Sequence, residues 1–336
     1  MLNPELKLNP KLFDADVEQK PIRDGYGEGL LAAGGDNPNV VVLTADVAES
    51  TRADGFAKKY PERFFECGVA EQGMATVAAG LGISGKIPFI SSYAVFSPGR
   101  NWEQIRTTIA YNDSNVKIAG HHAGISVGPD GATHQATEDI ALMRALPNMK
   151  VFVPCDAVEA KKVTLAAAKI WGPVYLRFAR EKSPVITTEA TPFVPGKAQV
   201  FWSPSINSGR LSKPSVLIIA CGTMVYQSLR AAEELGKGKI SVAVLNVHTV
   251  KPLDEKTILE YAERAGAVVT AEEHQIAGGL GGAVAELLAA HLPLPVEFVG
   301  LRDTFGESGA PAELMEKYGL GAKDVVAAVK RALKRK

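Results

Sequence analysis

The chain has 336 residues, of which 46% are hydrophobic and 22% are charged. This length and composition are enough for about two domains with ordinary apolar cores. The chain has 37 basic residues (lysine and arginine) and 37 acidic residues (aspartate and glutamate). It therefore has no net charge that would favour nucleic acid or an anionic membrane surface as a partner.

The sequence shows no targeting or membrane signal. Its first 13 residues contain charges and two prolines but no apolar core of the kind found in a signal peptide. No run of about 20 apolar residues could span a membrane. The three cysteines show neither CxxC nor zinc spacing, which is typical of a reducing compartment. We therefore expect a cytoplasmic protein that binds neither membrane nor nucleic acid.

Strand-like and helix-like segments alternate from the N-terminus onwards. Alternation of this kind predicts βαβ units, and hence an α/β fold with parallel, doubly wound sheets. In the first half, helices are predicted at 21–33, after Gly68, from Ser97-Pro98 onwards, at 136–145 and at 157–170, and strands at 40–43, 64–65, 87–90, 116–119, 151–153 and 174–178.

A stretch rich in proline, serine and glycine interrupts this pattern between residues 184 and 214, which is typical of a linker. Beyond it, predicted strands at 216–220, 242–245, 268–270 and 296–299 alternate with helices. We therefore predict one α/β domain at 1–185 and a smaller one at 214–336, joined by a linker at 186–213.

Polar or aromatic side chains follow five predicted strands of the first domain. In open α/β sheets, ligands bind beyond the carboxyl ends of the strands, although loops are commonly polar whether or not they bind anything. The side chains are Asp46 and Ser50, Glu71, Tyr93 and Phe96, His121 and His122, and Arg180.

Glu71 lies at the start of a predicted amphipathic helix. Met74, Val77, Ala78 and Leu81 recur at helical spacing, and Glu71 would share their face, which we expect to be buried. Two interpretations remain. The carboxylate complements the positive helix N-terminus, or apolar surroundings keep it protonated, so that it can share a proton with a ligand nitrogen.

Three other groups have a functional and a structural interpretation. Phe96 and Tyr93 either stack on a planar heterocycle or belong to the core. His134, in a glycine-rich loop, is either a proton carrier or hydroxyl ligand or simply solvated. Arg180 and Arg23 either supply planar forks for a phosphate or are surface charges.

Two motifs resemble the pyrimidine-binding domain of transketolases. They are Cys67-Gly68-Val69-Ala70-Glu71-Gln72 and Gly128-Pro129-Asp130-Gly131-Ala132-Thr133-His134-Gln135. The resemblance covers the chain from about Arg23 to the C-terminus, and it implies the C-terminal half of a transketolase made as a separate subunit. The stretch 272–282 resembles the C-terminal domain of the same superfamily, for which the family implies a role in assembly.

The resemblance implies a role for each candidate residue. Glu71 would bind the aminopyrimidine ring of thiamine diphosphate and favour the imino form that removes the thiazolium proton, making it catalytic. Phe96 would stack on that ring beside Tyr93, which replaces a usual Phe, and Asp46 would also contact the cofactor. The sugar phosphate would be bound by Asp130, His134, His122, Arg180, Arg23 and Ser50, with His134 near the ketol oxygens and catalytic as well.

The sequence lacks the Gly-Asp-Gly and later Asn with which the family binds the metal and the diphosphate. We therefore expect no metal ligand in this chain and no activity from it alone. The resemblance implies an N-terminal partner subunit that holds the diphosphate and Mg²⁺, self-association of this chain, and an assembly of two copies of each. The expected reaction transfers a two-carbon ketol unit from a ketose phosphate to an aldose phosphate.

Other activities stay open at this stage. A deoxyxylulose-phosphate synthase-like subunit or a 2-oxo acid dehydrogenase beta-type subunit shares the superfamily, although Thr133-His134-Gln135 followed by Glu138 favours transketolase. A non-catalytic interaction subunit is the alternative of another class, and the presence of Glu71 argues against it.

Overall fold

The structure is a computed structural model and describes residues 1–204 and 213–336. Within those residues it has three sheets, of seven, five and two strands, and helices connect most successive strands of the two larger sheets. The chain is therefore an α/β protein with two predominantly parallel sheets, as the sequence predicts. None of the described helices combines the length and the apolar character that a membrane-spanning segment requires.

The large sheet carries the candidate site. Neighbouring strands are parallel except at one edge, where Thr249–Lys251 runs antiparallel to Lys150–Phe152. The carboxyl ends of the parallel strands therefore meet along one side of the sheet. In spatial order the strands are Thr249–Lys251, Lys150–Phe152, Val174–Arg177, Lys117–His121, Ile87–Tyr93, Val40–Thr44 and Phe64–Glu66.

Helices cover both faces of the large sheet. Along the strand Val40–Thr44, Val40 and Val42 pack into one core and Val41 and Leu43 into another, because successive side chains of a strand point to opposite faces. The first core is covered by the helices Ile22–Asp36, Asp54–Lys59 and Ala157–Lys169, and the second by Glu71–Ile83 and the π-helix Ile105–Ala110.

Gly25 allows the helices Ile22–Asp36 and Ala157–Lys169 to approach closely. An ideal Cβ built on Gly25 would lie 1.8 Å from the carbonyl oxygen of Ala157, a distance at which no side chain fits. This contact fixes the first helix, and with it the position of Arg23 at its N-terminal end.

The small sheet shares a core with the large one. Its strands, in spatial order, are Val296–Leu301, Val268–Gln275, Val216–Ala220, Val242–Asn246 and the antiparallel Gln199–Trp202. Met224–Lys237 and Ala322–Arg335 pack on one face. On the other face, Glu255–Ala265 and Leu280–His291 join the core that contains Met74 and Ile105 of the first half, so the two sheets are packed around common apolar residues.

Short elements complete the described chain. Gln19–Pro21 and Lys182–Pro184 form the antiparallel two-stranded sheet. The remaining helices are Pro4–Leu6, Pro61–Arg63, Trp102–Gln104, Ile125–Asp130, Asp139–Arg144 and Pro311–Lys317.

The structure differs from the sequence predictions at several elements. The prediction that a helix begins at Ser97-Pro98 is wrong, because turns continue to Asn101 and the helix begins at Trp102. The helix expected at 136–145 covers only Asp139–Arg144. Four strands were not predicted: the pair Gln19–Pro21 and Lys182–Pro184, then Gln199–Trp202, inside the expected linker 186–213, and Thr249–Lys251. Residues 205–212 of that linker lie outside the described residues.

Val77 was expected on the buried face of its helix but is 53% exposed. The residues that pack on the sheet are Met74, Ala75, Ala78 and Ala79. The buried face is therefore rotated away from Val77 and towards the alanines, whose small side chains let the helix lie close to the strands.

Candidate active site

Glu71 is the first residue of the helix Glu71–Ile83, which follows the edge strand Phe64–Glu66. The residue is only 1% exposed, so the predicted burial is confirmed. Its surroundings are not purely apolar, because Arg100 Nη1 lies 2.5 Å from Glu71 Oε2.

Arg100 and Asn101 are site residues that the sequence reasoning missed. Asn101 Nδ2 donates to the backbone carbonyl of Glu71 at 3.1 Å, and the Arg100 guanidinium lies over the Phe96 ring, 4.6 Å from its centroid. Both residues lie in the turn that was taken for a helix. The sequence does contain one signal for Arg100, a cation four residues after an aromatic ring. This signal was not enough, because the path of the turn depends on tertiary packing.

Aromatic rings form a continuous group beside Glu71. Tyr93 stacks on His122 with centroids 4.2 Å apart, and the Tyr93 and Phe96 rings are nearly parallel at 6.0 Å. His134 meets Phe96 edge to face at 5.6 Å. Four of the residues predicted from separate segments, Tyr93, Phe96, His122 and His134, are thus brought together.

Arg23 extends this group on the side away from Glu71. Its Nη1 lies 2.8 Å from His122 Nε2 and donates to the backbone carbonyl of Ser50 at 2.9 Å. Ser50 therefore contacts Arg23 through its backbone carbonyl group, and its role in binding the substrate stays a prediction.

His122 is held neutral. Burial, together with the positive charges of Arg23 and Arg180, lowers the pKa of His122 to about 3. An arginine can only donate, so His122 Nε2 is the acceptor and its proton lies on Nδ1. That nitrogen is buried and has no hydrogen-bond partner among the described residues, which makes it available to a ligand.

Arg180 links the end of the strand Val174–Arg177 to the loop that carries Asp130. Its Nη1 donates to the carbonyl of Val127 at 2.9 Å and lies 3.3 Å from Asp130 Oδ1. Both Arg180 and Asp130 are partly exposed, with side-chain exposures of 30% and 33%. Their charged ends can therefore reach a bound molecule.

The glycines of this loop allow its backbone to approach the C-terminal half of the chain closely. A Cβ on Gly128 would lie 2.9 Å from Pro311 Cγ, and one on Gly131 would lie 2.5 Å from Ser308 Oγ, and both glycines have positive φ. The loop backbone therefore packs against the C-terminal half of the chain, which positions Asp130 and His134.

Two candidates stand apart from the group. Asp46 has an exposed side chain, and its backbone N–H donates to Glu66 Oε1 at 2.8 Å. His121 is fully buried between Tyr26 and Phe178, because neighbouring strand residues point to opposite faces. Burial lowers the pKa of His121 well below its ordinary value, and the residue belongs to the core.

The residues near Glu71 fit a planar heterocycle. The contact with Arg100 uses Oε2 of Glu71 and leaves Oε1 for a ring nitrogen or amine, while Phe96 offers a ring face that is occupied only by the half-exposed Arg100. In the part of the chain that the structure describes, no group of three or more His, Cys, Asp or Glu side chains could hold a metal ion.

Comparisons with protein families match almost the whole chain. Residues 18–185 match the family model "Transketolase, pyrimidine binding domain", and residues 210–325 match "Transketolase, C-terminal domain".

Individual relatives match over nearly their full lengths. A protein of Methanocaldococcus jannaschii named as a transketolase C-terminal section is 43% identical, over 94% of this chain and 97% of the relative. A 6-deoxy-6-sulfo-D-fructose transketolase subunit of Clostridium sp. (strain MSTE9) is 40% identical, over 96% and 98%. A solved structure described as "Split gene transketolase, inactive beta4 tetramer" is 48% identical with a TM-score of 0.85, over 94% and 99%.

Proposed function

This chain belongs to the transketolase family, which depends on thiamine diphosphate, and is the C-terminal subunit of a split transketolase; from this premise we propose its reaction. With an N-terminal partner subunit, it transfers a two-carbon ketol unit from a ketose phosphate to an aldose phosphate. The observation that carries the proposal is the continuous group of side chains from Glu71 to Arg180. One end of this group, the heterocycle end, suits a planar ring, and the other, the anion end, suits a phosphate. A row of aromatic and histidine rings lies between the two ends.

At the heterocycle end, Glu71 binds the pyrimidine ring of the cofactor through its carboxylate and holds or moves a proton at a ring nitrogen. Phe96 provides the stacking surface, and Arg100 leaves both residues when the ring binds. Thiamine diphosphate, when bound, supplies the carbon–carbon bond chemistry that no side chain of this chain provides. Burial of Glu71, at 1% exposure, keeps water from competing for the carboxylate.

At the anion end, Arg23 and Arg180 bind the phosphate of the sugar. Each is a planar fork of donors, and neither is fully used by its contacts in the chain. The Nδ1–H of neutral His122 adds a donor without adding charge. Between the two ends, His134 and Asp130 bind sugar hydroxyl or ketol oxygens, with His134 held by a 2.9 Å contact between its Nδ1 and Thr133 Oγ1.

An exposed apolar face on the helix Glu71–Ile83 supports an assembly of several chains. Val77 and Ile83 are 53% and 66% exposed, and Val69, just before the helix, is 70% exposed. Apolar residues clustered in this way mark interaction surfaces. Because Glu71 begins this helix, a chain bound here lies next to the carboxylate. We assign the face to contacts with the N-terminal subunit, which holds the diphosphate and Mg²⁺ in an assembly of two copies of each chain.

The anion end is equally suited to a sulfonate. The Clostridium relative is named for 6-deoxy-6-sulfo-D-fructose, in which a sulfonate takes the place of a sugar phosphate, and arginine forks bind either anion. A sulfosugar is therefore the second candidate substrate for this chain.

The test is two-carbon transfer by the chain alone and by its mixture with an N-terminal transketolase subunit, with thiamine diphosphate and Mg²⁺. Xylulose 5-phosphate and 6-deoxy-6-sulfofructose serve as donors and ribose 5-phosphate as acceptor. We expect transfer only in the mixture. Glu71→Gln should lower kcat by about 100-fold or more, while Glu260→Gln, at an exposed glutamate of the helix Glu255–Ala265, serves as the control. A stable complex that transfers from neither donor would contradict the proposal.

A further inference from the structure

A second cleft lies where the two halves of the chain meet, on the far side of the loop that carries Asp130. It has a volume of about 460 Å³, within the range of about 300–1,000 Å³ of small-molecule sites. Its walls come from the loop Ile125–Asp130, the strand Lys182–Pro184, and the helices Met224–Lys237 and Pro311–Lys317. None of the candidate residues of the first site lines it.

Two buried hydroxyl groups in this cleft have no partner. Ser126 and Ser183 are 7% and 8% exposed, and both line the cleft. Neither Oγ atom makes a hydrogen bond with any residue that the structure describes. A buried hydroxyl without a partner costs free energy, and a ligand that hydrogen-bonds to both would remove this cost.

A buried carboxylate lies beside these hydroxyl groups. Glu273 is 2% exposed and lines the cleft. Its Oε1 accepts from the N–H of Ser126 and its Oε2 from Thr223 Oγ1, each at 2.7 Å. A carboxylate offers about four acceptor positions, so two remain for donors from a ligand.

These groups define the chemistry of the ligand. Ser126 and Ser183 can donate or accept, whereas Glu273 can only accept, so the ligand must carry groups that do both. Hydroxyl groups do so, while an ammonium only donates. Two carboxylates, Glu273 and Glu181, outnumber the one cation of the lining, Lys182, which disfavours a phosphate. Pro184 and Met315 offer apolar surface to the carbon–hydrogen faces of a sugar.

We propose that this cleft binds a small uncharged polyol or unphosphorylated sugar. The site is separate from the proposed active site but connected to it, because Glu273 binds the backbone of Ser126 at the start of the loop that carries Asp130. An occupant that contacts Glu273 and Ser126 therefore also contacts the base of that loop.

The test is titration calorimetry of the full chain with xylitol and with D-ribose, using inorganic phosphate as a charged probe. We expect the polyols to bind and the phosphate not to. Replacing both serines, Ser126→Ala with Ser183→Ala, should weaken polyol binding about tenfold or more, because two hydrogen bonds to the ligand are lost. Neither hydroxyl has a partner in the chain, so this variant should keep the wild-type melting temperature.

Ser203→Ala is the matched control, because Ser203 is also buried, at 3% exposure, with an unpartnered hydroxyl group, but does not line the cleft. It should bind polyols as the wild type does. Failure of both polyols to bind, binding unchanged by the double serine variant, or binding abolished by Asp130→Ala but not by the serine variant would overturn the proposal.

Discussion

The Glu71 carboxylate and the Arg100 guanidinium form an ion pair of 2.5 Å in which the side chain of Glu71 is 2% exposed and that of Arg100 is 44% exposed. Arg100 also covers the ring of Phe96. One half-exposed side chain thus occupies both groups that we propose for the pyrimidine ring. On this proposal, Arg100 moves away when the cofactor binds.

Arg100→Met should therefore tighten thiamine diphosphate binding to the assembled enzyme. A half-exposed ion pair contributes about 1 kcal/mol or less, which corresponds to a gain of up to about fivefold in affinity. Titration calorimetry of the complex measures it. Arg106→Met, a change at an exposed arginine of the following helix, should leave the affinity unchanged, and weaker binding by Arg100→Met would mean that Arg100 helps to hold the cofactor.

Arg180→Gln should impair use of phosphorylated donors selectively. A hydrogen bond to a charged group contributes about 1.5–3 kcal/mol, so kcat/KM for xylulose 5-phosphate should fall about 10–100-fold, while that for xylulose should not change. Lys182→Gln, at an exposed cation two positions along the chain, is the control. Equal losses with both donors would place Arg180 outside the phosphate site.

Val77→Asp should weaken assembly without unfolding the chain. The change puts a charge at the centre of the exposed apolar face, where a partner would have to desolvate it. Analytical ultracentrifugation of the mixed subunits measures the loss. Val194→Asp replaces a valine of equal exposure, 53%, elsewhere on the surface and should assemble normally; if both variants assemble alike, the face is not an interface.

His248 should contribute to acid sensitivity. Burial lowers the pKa of His248 from 6.5 to about 3, so between these values the unfolded chain takes up a proton that the folded chain does not. Its contribution to stability is full above pH 6.5 and is lost as the pH falls towards 3, by up to about 1.4 kcal/mol per pH unit. The free energy of unfolding of His248→Gln should depend less on pH over this range. His291→Gln, at an exposed histidine, should match the wild type.

Replacing glycine by alanine should have opposite effects on stability in two helices. Gly25→Ala forces a methyl group against Ala157 and should destabilise the chain by about 1–3 kcal/mol or more. Gly73 lies in the helix Glu71–Ile83 with nothing within 4 Å of an added Cβ, so Gly73→Ala should stabilise the isolated chain by about 0.5–1 kcal/mol. Urea unfolding of both variants gives the two changes in the free energy of unfolding. Equal changes would contradict the close contact between Gly25 and Ala157.

Much of the architecture follows from the sequence, because apolar segments such as Val40–Thr44 are recognisable from their own residues. The burial of Glu71 also followed, from its register with Met74 and Ala78. Arg100 could not be predicted, because its contact with Glu71 joins residues 29 positions apart through a turn without a regular pattern. The exposure of Val77 was not predicted. The helix has apolar residues on two sides, and hydrophobicity alone does not tell which side packs on the sheet and which stays exposed.

The antiparallel strand Thr249–Lys251 has a consequence for how this protein can be divided. It comes from the C-terminal half but forms the edge of the sheet in the N-terminal half. A fragment that stops before it would leave the strand Lys150–Phe152 with an unpaired row of backbone N–H and C=O groups, which invites aggregation. The two halves of the chain, although they match separate family models, therefore share one sheet and should be expressed as one piece.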